Sequence, residues 1–490
     1  MTFFYRNFSY AILFSWLGTF LSSILKLLRA PIIIYTIGLD QYGIWITIIL
    51  LMGIAINFEN VITSIISKKI SNSSETNISE RIFFIKNNNS VFNKLIFKIS
   101  LGFSLLYFAS IQIIHSLSSG TIEYKYLLLH DVAASISIIL YLFGLKFVAY
   151  IDGIDSVHYG RLGKIFYEVF GFLLILSILY FKTFHMLGFV LLLQSIGFYI
   201  FSAYIYSFIT KKQKPYLESV ENKNIDYICY KSFLKDSLRL ISLQSGTILY
   251  SMTPILLIPV LYSYTASAQY ALLIQLCQFS NLLIMPILVS FLPKLVHDVK
   301  SKNIINFIWL MNIAFLALVI YFFFLQVFIE DIFPLWIGKE YALGKVFLAI
   351  VSVICVLDIY NQFLRQICLS LDFESSFFKI FIKSTFIFLF FLAVILIINE
   401  NASKYFLILM PTLFSIIYLV GALFQIISKS SSLNLLYFTP QLIIFYLIIY
   451  IIFSIIVSIN WIFAFYTLMF SIIIYLLYVY PIFMRLIKTK

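Results

Sequence analysis

Charge is scarce in this sequence: Lys, Arg, Asp and Glu together make up 11% of its 490 residues. The longest polar connection, residues 211–237, is too short for a catalytic domain outside the apolar runs. Cysteine is almost as sparse. Cys229, Cys277, Cys355 and Cys368 are scattered, and they make neither a disulfide framework nor a zinc-ligand spacing. The five histidines, His115, His130, His158, His185 and His297, are dispersed as well, so no metal site is expected from spacing. Also missing are the roughly 10-residue alternating segments of an outer-membrane barrel. No small-residue cleavage site follows a short apolar core near the start, so the run beginning at Phe8 is expected to be a retained helix.

What the sequence has instead is apolar length. It is 62% hydrophobic with a mean hydropathy of +1.01, outside the range of soluble globular domains. Runs of about 20 residues, enough for a helix to cross a ~30 Å hydrocarbon core, recur from end to end. They predict an all-α polytopic membrane protein with fourteen spans. These fall at 8–29, 42–66, 92–118, 126–150, 162–181, 186–209, 238–261, 268–292, 304–328, 343–369, 377–398, 405–427, 435–457 and 461–483.

The connections alternate in charge. Those on the side of the N-terminus carry 21 Lys and Arg, and those opposite carry five: Lys125, Lys182, Lys339, Lys345 and Lys404. By the positive-inside rule both termini are expected in the cytoplasm. The same asymmetry absorbs the net charge of +13, with some attraction to anionic membrane lipids, and removes the main argument for a nucleic-acid partner.

Shifted by 228 residues, the chain aligns with itself without a gap over positions 16–46, with nine identities in 31. "GTFLSSILKLLRAPIIIYTIGLDQYGIWI" lies over "GTILYSMTPILLIPVLYSYTASAQYALLI", so that Gly18-Thr19 meets Gly246-Thr247, Pro31 meets Pro259, and Gln41-Tyr42 meets Gln269-Tyr270. A weaker echo near an offset of 219 places Lys146 over Arg365. The expected organisation is a six-helix half at 1–210, a cytoplasmic linker at 211–237, a second six-helix half at 238–430, and two further helices at 431–490. Parallel repeats of this kind are common in secondary transporters.

An ionisable residue at the centre of a membrane helix costs about 2.5–3.5 kcal/mol on insertion scales, so each needs a partner, a hydrated cavity or an interface. Lys26 and Arg29, three residues apart, share a helix face. If the first helix stops at Ala30 they snorkel at its mouth; if it continues through Pro31 they lie deep in the membrane. The repeat favours continuation, because Pro259 recurs in a segment without charge. In the tenth span Asp358, Asn361, Gln362 and Arg365 form a polar stripe on one face, either cavity lining or a polar network between helices. Lys146 is placed to line a cavity or to snorkel. Glu59, Asp131 and Asp358 are the candidate titrating acids for ion coupling, and serve equally well as salt-bridge partners. Gln194, Gln275, Gln278 and Asn281 can bond sugar hydroxyls or neighbouring helices.

The two halves, the two extra helices and the segment "IGLDQYGIW" after a proline-bearing first helix resemble the O-antigen and polysaccharide repeat-unit flippases. That family lies within the superfamily that also holds lipid II flippases and multidrug exporters. The resemblance implies a transporter, not an enzyme. Its cargo would be an undecaprenyl-pyrophosphate-linked oligosaccharide, moved from the cytoplasmic to the periplasmic leaflet of the inner membrane by alternating access. It further implies a proton or sodium gradient as driving force, no bound cofactor, and a polymerase and chain-length proteins as pathway partners. Lys26, Arg29, Lys146, Asn361, Gln362 and Arg365 would then meet the pyrophosphate and glycan, since Arg binds phosphate bidentately. A multidrug or lipid II exporter is the nearest alternative. A membrane-embedded polymerase or glycosyltransferase is disfavoured by the short loops and the repeat.

Overall fold

The computed structural model describes residues 2–57, 59–73, 78–117, 124–154, 156–217, 230–231, 233–234, 257–260, 262–280, 305–338, 351 and 355. The polar stripe of Asp358, Asn361, Gln362 and Arg365, which includes the Arg365 side of the weaker echo, and the last four expected spans lie outside these residues. Every regular element among the described residues is a helix, and the chain is an all-α polytopic membrane protein. Five of the described helices are long and apolar enough to cross a membrane, with mean hydropathies from 1.6 to 2.1.

The chain divides into two compact units, Met1–Leu272 and Leu273–Lys490. In the first, α1 runs Thr2–Ile37, α2 Leu39–Asn57, α3 Glu59–Ser73, α4 Ile78–Leu117, α5 Tyr124–Gly153 and α6 Val157–Leu176. A single turn, α7 (Ile178–Phe181), leads into α8 (His185–Leu217). Helix α9, Tyr264–Gln278, starts in the first unit, and α10, Ile305–Ile337, belongs to the second.

Helix α1 continues through Pro31. In hydrocarbon an open helix end has no water to satisfy it, so a proline is carried inside the helix more readily than in a soluble protein. The stop comes at Gly38, whose φ of +89° suits a residue without a side chain. The break is a single residue, bonded on both sides: Gly38 N–H donates to Ile34 O at 2.9 Å, and Tyr42 N–H donates to Gly38 O at 3.1 Å. The tyrosines that match in the internal repeat, Tyr42 and Tyr270, are both fully buried.

The region expected to be a polar connection after the second span is largely helical. Helices α3 and α4 run through it, and α4 begins at Ile78, well ahead of the expected residue 92. The reason is an apolar face carried by a polar sequence. Phe84, Ile85, Asn88, Phe92, Leu95 and Ile96 recur at helical spacing and are buried, while Lys86 and Lys94 stay exposed. Arg81, also buried, donates from Nη1 to the Gly153 carbonyl at the end of α5 at 3.1 Å, which ties the extension to the membrane helices. Ser71 Oγ reaches the same carbonyl at 3.3 Å.

Helix α5 is the centre of the first unit, packed against α3, α4, α6 and α8. Its small residues let backbones approach, as is usual between membrane helices: a Cβ at Gly144 would lie 2.6 Å from the Phe198 ring of α8. Tyr141 stacks on that ring at 5.2 Å. In the second unit, Phe322, Leu325, Ile329 and Phe333 form the buried stripe of α10. Tyr321 Oη donates to the Leu276 carbonyl of α9 at 2.7 Å.

Candidate functional site

Because α1 is unbroken, Arg29 lies eight residues, about 12 Å, before its end at Ile37, within a membrane-spanning stretch. Its side chain is 10% exposed and faces Glu168 of α6, which lies eight residues before the end of its own helix. Arg29 Nη2 lies 3.1 Å from Glu168 Oε2 as an ion pair and donates a hydrogen bond to the Glu168 main-chain oxygen at 2.6 Å. Lys26, one turn earlier, brings Nζ to 3.6 Å from Glu168 Oε1, and Ser22 hydrogen-bonds the same carboxylate. Two cations thus share one carboxylate, and the cluster keeps a net charge of +1. Arg29 Nε finds no acceptor among the described residues, although it is buried.

Exposure separates the two cations. The Lys26 side chain is 55% exposed while Glu168 is 16% exposed. An ammonium group that open in mid-membrane requires a hydrated surface, since facing lipid would carry the full desolvation cost. Lys26 is thus the open member of this cluster and Arg29 its anchored half. Glu168 had no place among the expected site residues. The available signal was a lone carboxylate in the apolar run "FYEVFGFLLIL", which needs a cationic partner wherever the fold puts it.

Lys146 is held elsewhere. It is 6% exposed, and its Nζ donates to Asn93 Oδ1 of α4 at 2.8 Å. It lies 4.4 Å from the centroid of Phe147, with Phe143 and Tyr150 at 5.8 Å. This is a cation held by aromatic faces and one amide between packed helices, and it shares no partner with Lys26 or Arg29. Gln194, similarly, donates to the Tyr167 carbonyl at 2.9 Å and joins α8 to α6.

Of the three expected acids, Glu59 begins α3 and Asp358 lies outside the described residues. Asp131 is fully buried near the start of α5. Around it the fold gathers two of the histidines that look dispersed in the sequence. His115 Nε2 lies 3.3 Å from Asp131 Oδ2, and His130 Nδ1 lies 3.6 Å from Oδ1. Gln112 Nε2 donates to Oδ2 at 2.9 Å, and His115 Nδ1 meets the Tyr264 hydroxyl of α9 at 2.8 Å. Among the described residues no group of three or more metal-binding side chains has the geometry to hold a metal ion.

The first residues of α9 pack on α2 and α4. Thr265 hydrogen-bonds Asp40, Ser267 shares a 3.0 Å hydrogen bond with Thr47, and a Cβ on Gly43 would overlap the Tyr264 carbonyl. All of these contacts lie within the first unit.

No known protein-family model matches this chain, and no curated protein matches it in sequence. Its fold does have counterparts among solved structures. An inward-facing multidrug resistance MATE-family transporter of the MOP superfamily superposes with a TM-score of 0.57 at 11% identity, over 87% of this chain and 96% of that one. An outward-facing MATE-family transporter gives 0.55 at 12% identity, over 86% and 96%. A MATE transporter of Vibrio cholerae gives 0.55 at 14% identity, over 88% and 97%. At these identities the likeness concerns the fold alone, which this chain shares with those MATE-family transporters.

Proposed function

We propose that this protein is a membrane transporter of lipid-linked oligosaccharides. It would carry an undecaprenyl-pyrophosphate-linked repeat unit from the cytoplasmic to the periplasmic leaflet of the inner membrane, with both termini in the cytoplasm. The observation that carries this reading is the net-positive cluster of Lys26, Arg29 and Glu168 inside the membrane span, with Lys26 open and Arg29 Nε buried without an acceptor.

The chemistry follows from the cargo. A polyprenyl tail stays in lipid, while the pyrophosphate must cross the hydrocarbon core and needs cations to replace its water. Lys26 offers an ammonium that swings freely, and Arg29 a guanidinium already oriented by Glu168. Glu168 supports the cations when the site is empty and cedes them in part when a phosphate arrives. In this reading Asn361, Gln362 and Arg365 also meet the cargo, and alternating access is the transport cycle that the internal repeat implies. A proton or sodium gradient drives the cycle in this reading, and the polymerase and chain-length proteins of the same pathway take up the product.

An exporter of organic cations built on the same fold is the competing reading, and the positive sign of the cluster weighs against it. The discriminating measurement is binding to the purified protein in nanodiscs. Undecaprenyl pyrophosphate should bind to the unsubstituted protein and bind at least about tenfold more weakly to Lys26→Ala, the loss of one charge-assisted contact. Equal binding to both, or tighter binding of a lipophilic cation than of the pyrophosphate lipid, would falsify the assignment.

A further inference from the structure

We propose that Asp131, with His115 and His130 beside it, is a proton-binding site whose occupancy is passed to helix α9 through Tyr264. The groups form a chain. His115 Nε2 lies 3.3 Å from the carboxylate as a close contact without a well-directed hydrogen bond; we assign the ring hydrogen to this nitrogen, on the side of the negative charge, which makes Nδ1 the acceptor in the neutral ring. The Tyr264 hydroxyl, 2.8 Å from Nδ1, donates to it. Gln112 supplies a second donor to Asp131 Oδ2. The His130 ring is fully buried, stacks on Phe184 at 4.9 Å, and has no hydrogen bond to either nitrogen among the described residues.

With both rings neutral this sealed cluster carries one net negative charge; with one added proton it carries none. Side-chain exposures of 3% for His115 and 0% for His130 and Asp131 leave no water to share that charge. Among the residues whose side chains are described, the two histidines are the cationic partners acting on Asp131. Helix α4 contributes the buried phenol of Tyr107, within electrostatic reach of Asp131. Helix α8 contributes the backbone of Gly188, where a Cβ would lie 2.9 Å from His130 Cα. Helix α2 contributes Asp40, exposed and bonded to Thr265. The proton is therefore the counter-ion that the site can accept.

The consequence lies at Tyr264. An added proton held on His115 Nδ1 gives an imidazolium paired with Asp131. Nδ1 then donates where it had accepted, and the Tyr264 hydroxyl turns from donor to acceptor. The neutral hydrogen bond becomes a charge-assisted one, which is shorter and roughly twice as strong. Tyr264 opens the segment whose next residues clasp α2 through Asp40, Gly43 and Thr47, so proton uptake tightens the hold of α2 and α4 on α9, and release loosens it. As a coupling device this site rests on the transport reading; as a proton-controlled clasp it stands on the geometry alone.

The clasp can be read without any cargo. In a full-length background with the four native cysteines replaced, Asp40→Cys with Thr265→Cys reports the clasp, and Asn89→Cys with Tyr150→Cys, a pair bonded at 3.0 Å, serves as reference. The ratio of the two disulfide-formation rates, compared between about pH 5 and about pH 8, the range over which histidines change charge, should shift about fivefold in favour of the clasp at low pH. Tyr264→Phe keeps the cluster but cuts the relay, and His115→Gln removes the proton acceptor; each should flatten the ratio. A flat ratio in the background protein, or an undiminished pH response in Tyr264→Phe, overturns the proposal. Either result leaves pyrophosphate-lipid binding untouched, and failure of that binding leaves the clasp untouched.

Discussion

The cluster on α1 and α6 and the cluster between α4 and α5 solve one problem in opposite ways. Both place ionisable side chains within membrane-spanning helices. Lys26, Arg29 and Glu168 leave a net positive charge with one member 55% exposed. Asp131, His115 and His130 leave a net negative charge with every member sealed. An open cationic cluster can exchange its carboxylate for a ligand's phosphate. A sealed anionic one, as proposed above, exchanges a proton. Exposure, more than residue type, sets what each can bind.

Breaking that comparison starts at Glu168. Glu168→Gln leaves Arg29 buried without its counter-charge and should destabilise the protein by about 3–5 kcal/mol in detergent unfolding. Adding Arg29→Met to Glu168→Leu should recover most of that loss while abolishing pyrophosphate-lipid binding. Recovery of stability with binding intact would remove Arg29 from the site. Next is Gly43→Ala, which pushes a methyl group into the Tyr264 carbonyl and should cost about 1–3 kcal/mol by overpacking. Its more telling readout is a slower Asp40–Thr265 cross-link at every pH, a steric effect that protonation does not correct.

Smaller effects sharpen the contrast. Lys146→Met retains bulk among Phe143, Phe147 and Tyr150 and loses one amide hydrogen bond and the cation–π contacts. Its expected loss of about 1–2 kcal/mol is measurable in the same unfolding assay, with pyrophosphate-lipid binding unchanged. A binding loss as large as that of Lys26→Ala would move Lys146 into the site. Lys26→Ala itself should change stability least, by about 0–1 kcal/mol, because its ion pair is solvent-screened. Its effect belongs in binding, and a large stability loss would make Lys26 structural.

Much of the fold was legible in the hydropathy. Apolar runs longer than a bilayer needs placed α5, α8 and α10 within a few residues of their observed starts, and Pro259 indicated that α1 would run through Pro31. The helical stretch from α3 into α4 was not legible. Its apolar residues are separated along the sequence by Lys86, Asn87, Asn88, Asn89 and Ser90, so mean hydropathy sees a loop where periodicity sees a helix. Lys26, Arg29 and Asp131 stood out in the sequence because charge in an apolar run is conspicuous. Their partners did not: Glu168 is 139 residues from Arg29, and Tyr264 is 149 from His115.

By itself, then, the sequence determined that this chain is an all-α membrane protein and where along it the costly charges fall, since both follow from the local price of placing side chains in hydrocarbon. The tertiary structure decided how each charge is met. Helix packing alone brings Glu168 to Arg29, a second histidine to Asp131, and Tyr264 to His115. Those pairings depend on which helix faces touch, and side chains brought together across helices have no signature in the spacing of a single helix.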